Sequence, residues 1–401
     1  MIYGDWTGLR NDRPDYRFTK TDLVTGINID IDNSGLISRR PGTTKLNSAQ
    51  SHSLWSDNKI AFVVSGGALN LVNDDYTLTP IMSVTSNRAR MSYEKMNDRI
   101  YFSNGIDSGV YENNSLRSWG LPVPPVPGAF PSVGNMHAGT YQFVVTYLRA
   151  DGQESGAGPA GVMDLPANGG IIFSLPVSSD SGVVAKSLYM TTSNGEILYL
   201  ADTVPAARVE YEYRNDSLDL SFPLQTQFKS APPPGHKVKY YRGHIYVASN
   251  EMIFPSEDLA YELFDVRKAF YLDSRVTMIA SMEDKEEPGD TQGTNSGLFV
   301  GTQQTTGVLI GKSTIEAQYV PKMEYGAVEG ADTLVDGSLF GDDSVGARKI
   351  PVWLSREGVC VGMSNMNIVN LTRTKYGFTA DGVGAAFFMP GPNKFIATCN
   401  Y

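Results

Sequence analysis

Two cysteines, Cys360 and Cys399, in 401 residues are too few for a disulfide framework, and both sit in apolar runs where they read as small buried hydrophobes. Histidine is equally scarce. His52, His137, His236 and His244 show no metal-ligand spacing, so no metal or other cofactor is expected. No stretch approaches the roughly 18 apolar residues that a membrane helix requires. The first residues lack a basic start followed by an apolar run, so a cleaved secretory leader is not expected either. Long helical periodicity is missing too, with Tyr261–Ala269 as the one short candidate helix. The chain contains no GxSxG elbow, HExxH, Walker loop, GxGxxG or CxxC, which leaves no local signature of an enzyme. Positive charge is also in deficit. A formal net charge of −10 speaks against a general nucleic-acid binder, whose affinity rests on cationic contacts to phosphate. It does suit a surface along which DNA must slide without sticking.

What the chain has in quantity is turn and strand chemistry. Forty glycines, 22 prolines and 21 tyrosines favour an all-β protein. The stretch Asp98–Glu112, DRIYFSNGIDSGVYE, shows the unit: an apolar triplet, a turn of Asn, Asp and Gly, then a second strand. It recurs around Phe62, Tyr246, Phe299 and Cys360. Phe62 and Tyr101 are 39 residues apart, near the roughly 40–50 of a four-stranded propeller blade. Tyr101 to Tyr246 falls to 35 once an insertion of 110 residues is set aside, and Tyr246 to Phe299 falls to 37 without the polar run Ser281–Ser296. Phe299 to Cys360, at 61, requires either a long loop or another register. The pattern predicts a β-propeller-like body whose terminal strands, Leu23–Asp30 and Phe395–Cys399, close it.

The insertion opens on Gly120–Gly128, GLPVPPVPG, a stiff extended linker. Alternating strands then follow, beginning with Gly139–Tyr147. Ala138–Ala160 and Ser187–Ala201 resemble a fibronectin type III or immunoglobulin-like sandwich, and Ser217–Lys237, with its run of prolines, offers a return path to the body. The expected organisation is residues 1–121 and 232–401 as two parts of one body, with 122–231 as the inserted sandwich.

Few residues suggest a site. Asp30, Asp32, Ser34 and Gly35 imitate the start of a calcium loop, but Pro41 stands where a bidentate Glu is needed, so a hairpin is the better reading. Arg39 and Arg40 could hold a phosphate or a neighbouring subunit's carboxylate, or be simply solvated. Glu283, Asp284, Glu286 and Glu287 form an acidic loop, and Asp342 and Asp343 lie in the Gly- and Asp-rich segment Gly326–Lys349, expected to be irregular. These eight are the candidate subunit or partner contacts.

Taken together, GLISRRPGTTKL (Gly35–Leu46), RMSYEKMNDRIYFSNGIDSGVYE (Arg90–Glu112), the fibronectin-like insertion and VKYYRGHIYVASNEMIFPSE (Val238–Glu257) resemble the tail nozzle, or tail tubular, proteins of short-tailed bacteriophages. The resemblance implies a non-enzymatic virion protein made in the host cytoplasm. Typically six copies form a ring below portal and adaptor, beside fibre, spike or needle proteins, around a channel that retains and then passes double-stranded DNA. The alternative from the residues alone is a carbohydrate-binding or glycan-processing propeller, whose paired carboxylates would leave no local motif. The repeated SxDxGxTW turns of sialidase-type propellers are absent.

Overall fold

The computed structural model describes residues 6–32, 34–46, 48–57, 59–215, 218, 220–282, 297–311, 316–340 and 349–399. Among them the protein is all-β, with three short 3₁₀ turns and no α-helix. The apolar triplets build five antiparallel meanders, each running in sequence order as a propeller blade does. The first comprises Ser51–Ser56, Ala61–Ser65, Ala68–Val72 and Leu78–Ser83, and the second Ser92–Met96, Arg99–Ser103, Ser108–Glu112 and Ser115–Arg117. The third comprises Lys237–Tyr241, His244–Ser249, Met252–Glu257 and Ala260–Phe264, with Phe270–Tyr271 pairing Met252–Glu257 as a fifth strand. Val276–Met282, Gly297–Thr302, Thr306–Ile310 and Gln318–Met323 make the fourth, and Ala327–Asp336, Lys349–Ser355, Gly358–Gly362 and Ile368–Asn370 the fifth.

The long Phe299 to Cys360 spacing resolves as a change of register. Phe299 lies on the second strand of its meander, whereas Cys360 lies on the third of the next and pairs with Trp353 on the second. Trp353 is therefore the equivalent of Phe299, and the two rings lie 6.1 Å apart in a buried core with Met278, Val308, Ile350 and Val361. Ala327–Asp336 is a ten-residue strand where irregular chain was expected. A register shift between Ala327 and Asp332 lets it carry Glu329 and Gly330, and Leu334 and Val335 then pair with Pro351 and Ile350. Tyr261–Ala269 is not a helix. Glu262 and Phe264 are buried on alternate positions of a strand, and only Val266–Lys268 winds into a 3₁₀ turn, capped by Asp265 accepting from Arg267 N–H at 3.0 Å.

The inserted segment forms two facing sheets. One holds Gly128–Met136, Gly169–Ser174 and Glu210–Tyr213, and the other Gly161–Leu165, Gly139–Arg149, Val183–Met190 and Tyr199–Pro205. Their inward residues, including Tyr141, Phe143, Ile171, Phe173, Leu188 and Met190, form one core in which Phe143 and Phe173 meet edge to face at 5.1 Å. In the proline-rich linker Leu121, Pro124 and Pro127 are buried while the residues between them are exposed, the period of a three-per-turn extended helix. The returning chain lies against the sandwich. Leu200 N–H donates to Phe222 O at 3.0 Å, Leu224 N–H to Leu198 O at 2.8 Å, and Ser230 then exchanges backbone bonds with Phe264 at 2.9 and 2.8 Å.

Two compact units result. One comprises Met1–Ser92, Ala248–Met252 and Phe270–Tyr401, and the other Tyr93–Val247 and Ile253–Ala269. The second unit therefore holds the sandwich together with the second meander and most of the third. In the first unit the terminal strands form separate hairpins, Ile29–Ile31 with Ile37–Arg39 and Gly384–Met389 with Lys394–Cys399. They meet through polar links: Asn11 Nδ2 donates to Gly377 O and Gly377 N–H to Asn11 Oδ1, both at 2.6 Å, and Lys394 Nζ donates to Asp30 Oδ2 at 2.7 Å.

Candidate functional site

Among the described residues the largest concentration of buried charge lies in the second unit around Glu262. Its strand alternation turns the carboxylate inward beside Phe264, leaving the side chain 4% exposed. A buried carboxylate must be compensated. Arg117, on the last strand of the second meander, meets it with two parallel bonds, Nη2 to Oε1 at 2.6 Å and Nη1 to Oε2 at 2.7 Å. Arg149, the one charged residue of a sandwich strand and its last, donates to Oε2 at 3.0 Å, and Gly120 N–H to the same oxygen at 3.1 Å. Arg99 completes the shell at 3.7 Å.

A second ring of acids balances the arginines. Glu112 receives Arg99 at 2.8 Å and Arg117 at 3.2 Å, Asp151 receives Arg99 at 3.2 Å, and Asp180 receives Arg149 at 3.3 Å as well as the Ser118 hydroxyl. Burial pushes the Glu112 carboxyl upward, but the hydrogen bonds from Arg99 and Arg117 outweigh it and hold the group below the usual range. Asp180 is likewise lowered against its burial by Ser118, Gly182 N–H and Arg149.

Beside this cluster opens a pocket of about 340 Å³, lined among others by Arg99, Tyr101, Asp151, Glu154, Tyr261 and Glu262. Burial and the charge of Glu262 push the Tyr101 hydroxyl up to about 12. Glu154 Oε1 accepts from Thr146 at 2.5 Å and Tyr189 at 2.9 Å. The carboxylates here are thus engaged as acceptors, and the arrangement works as an electrostatic clamp. Among the described residues no group of three His, Cys, Asp or Glu is placed to hold a metal ion.

Arg39 and Arg40 lie together at the open end of the first hairpin and line a shallow groove of about 680 Å³ with Asn28, Pro41, Gly42 and Thr43. Arg40 Nε donates to Asp30 Oδ1 at 3.1 Å, while Arg39 is exposed. The calcium-like residues form a turn instead: Asp32 Oδ1 accepts from Ser34 N–H at 2.9 Å, Ser34 Oγ at 2.6 Å and Leu36 N–H at 2.9 Å. Glu283, Asp284, Glu286, Glu287, Asp342 and Asp343 lie outside the described residues. His244 is held by Ser256 O at 2.7 Å and Asp258 at 2.8 Å, and His52 by Ser53 Oγ and Asn87 O, both at 2.8 Å. Sequence reading missed Glu262, Arg117 and Arg149. The signal was a charged residue in the inward phase of a strand, at Glu262 and again at Arg149.

Among the described residues no helix is long and apolar enough to cross a membrane. No family model matches the chain and no curated protein matches it. Among solved structures it is similar to a chain described as the extracellular domain of a one component system of B. thetaiotaomicron, at 9% identity and a TM-score of 0.23, covering 90% of this chain and 59% of that one. A likeness this slight assigns neither fold nor function.

Proposed function

We propose that the chain is a structural subunit of a short-tailed bacteriophage tail, a nozzle or hub protein that assembles as a ring, of six copies in the simplest case, below portal and adaptor. The observation that carries this reading is the succession of five antiparallel meanders, four of them four-stranded and the third with a fifth strand added, with a two-sheet sandwich inserted between the second and third. It matches the organisation that the tail-like segments Gly35–Leu46, Arg90–Glu112 and Val238–Glu257 imply. The meanders supply a rigid wall, and the sandwich, clamped through Glu262, supplies a surface for neighbouring subunits or for fibre, spike and needle proteins. A net charge of −10 suits a wall that passes double-stranded DNA without retaining it. In this role the protein belongs to the virion and acts without catalysis.

Identical subunits make a ring only through a heterologous interface that closes on itself. The test is the mass of the purified chain in solution, with negative-stain images of the same sample, at low and high concentration and again with the adaptor and portal of the same virion. Closed rings with a central hole are the expected result. A chain that stays monomeric even with those partners overturns the reading and turns attention to the glycan-binding alternative, to be examined on a glycan array.

A further inference from the structure

We propose that the groove beside Arg39 and Arg40 is a weak binding site for the phosphodiester backbone of a nucleic acid. The inference rests on the tail reading for its choice of polyanion, and on charge for the rest. Arg40 and Lys394 both bind one carboxylate, Asp30, at 3.1 and 2.7 Å. A single negative charge is thus shared by two cations, and the exposed Arg39 adds a third that pairs with no acid among the described residues. The four groups carry a local excess of positive charge in a chain that is acidic as a whole.

The one other acid of the hairpin, Asp32, is at its opposite end, with its carboxylate turned onto Ser34 and Leu36. The groove wall continues through Pro41, Gly42 and Thr43, and no atom lies within 4 Å of the position a side chain at Gly42 would occupy. An anion can therefore reach the backbone there. Guanidinium groups bind phosphate oxygens through paired N–H donors. A patch this small engages about two phosphates, which gives a contact that steers a passing strand and releases it readily.

The experiment is titration of the intact chain with a 20-base-pair DNA duplex from low to moderate salt, followed by fluorescence anisotropy. Expected are weak binding with a log–log salt slope near −2, a slope smaller by about 1 in Arg39→Gln, and loss of binding in Thr43→Asp, with unchanged circular dichroism in both. Binding that is absent at low salt, or unaltered in both variants, overturns the proposal. So does tighter binding of poly-glutamate, which would assign the groove to an acidic protein partner, or inorganic phosphate competing as well as the duplex, which would make it a small-anion site. The mass measurement is independent: rings without duplex binding sink the groove alone, and duplex binding by a persistent monomer sinks the tail reading alone.

Discussion

Arg117 and Glu262 stand 145 residues apart in the chain and meet through two parallel hydrogen bonds of 2.7 and 2.6 Å. With Arg149 at 3.0 Å they join the second meander, the third meander and the sandwich at one buried point within a single unit. Glu262→Ala leaves Arg117 and Arg149 without their shared acceptor and should cost about 3–5 kcal/mol. Urea denaturation measures it, with Arg356→Ala as comparison: that residue's pair with Asp381 is exposed on both sides, and its loss should cost under about 1 kcal/mol. Equal effects would remove the clamp from the account.

The same cluster sets a pH dependence. Glu112 and Asp180 have folded-state values below those of the unfolded chain, so their contribution is present in full above the ordinary carboxylate range of about 4 and is lost as pH falls through the lowered values. Stability should hold from pH 7 to about 5 and decline below it, and Glu112→Gln should flatten that decline. Urea midpoints measured across this range decide the matter; an unchanged acid limb in the variant would exclude Glu112.

Packing gives a third expectation. A methyl group at Gly156 would overlap the Lys229 carbonyl where the returning chain passes the sandwich, whereas one at Gly391 would enter open space. Gly156→Ala should therefore destabilise by about 1–3 kcal/mol and open residues 222–230 to hydrogen exchange. Gly391→Ala should stay within about 0.5 kcal/mol. Protection of 222–230 unchanged in Gly156→Ala would mean that the return path does not press on the sandwich.

The register of the fifth meander can be weighed as well. Trp353 is fully buried against Phe299, so Trp353→Ala should cost about 3–5 kcal/mol, well above Cys360→Ala. The reverse order in thermal melts would restore Cys360 as the position equivalent to Phe299.

These comparisons show where the sequence was readable. Four meanders were legible because Phe62, Tyr101, Tyr246 and Phe299 each mark an apolar second strand followed by turn residues. The fifth was misread because Gly358–Gly362 has the same look, while Pro351 interrupts the true second strand. Ala327–Asp336 gave no signal, since small and acidic residues fill a strand whose pairing is set by a bulge. The hairpin with Arg39 and Arg40 is local and was visible. The clamp was not, because its partners are 113 and 145 residues apart and no window of sequence contains them together.

The links between Asn11 and Gly377 and between Asp30 and Lys394 have a mechanical consequence. They short-circuit the chain. A pull between its two described ends loads these polar bonds together with the packing of Phe388, Phe395, Ala386 and Ala397 against the core, at the margin of the five meanders that lie between residues 30 and 394. Tension applied there works first on this joint and on the Gly384–Cys399 hairpin, and the ladders of the meanders are loaded as it gives way.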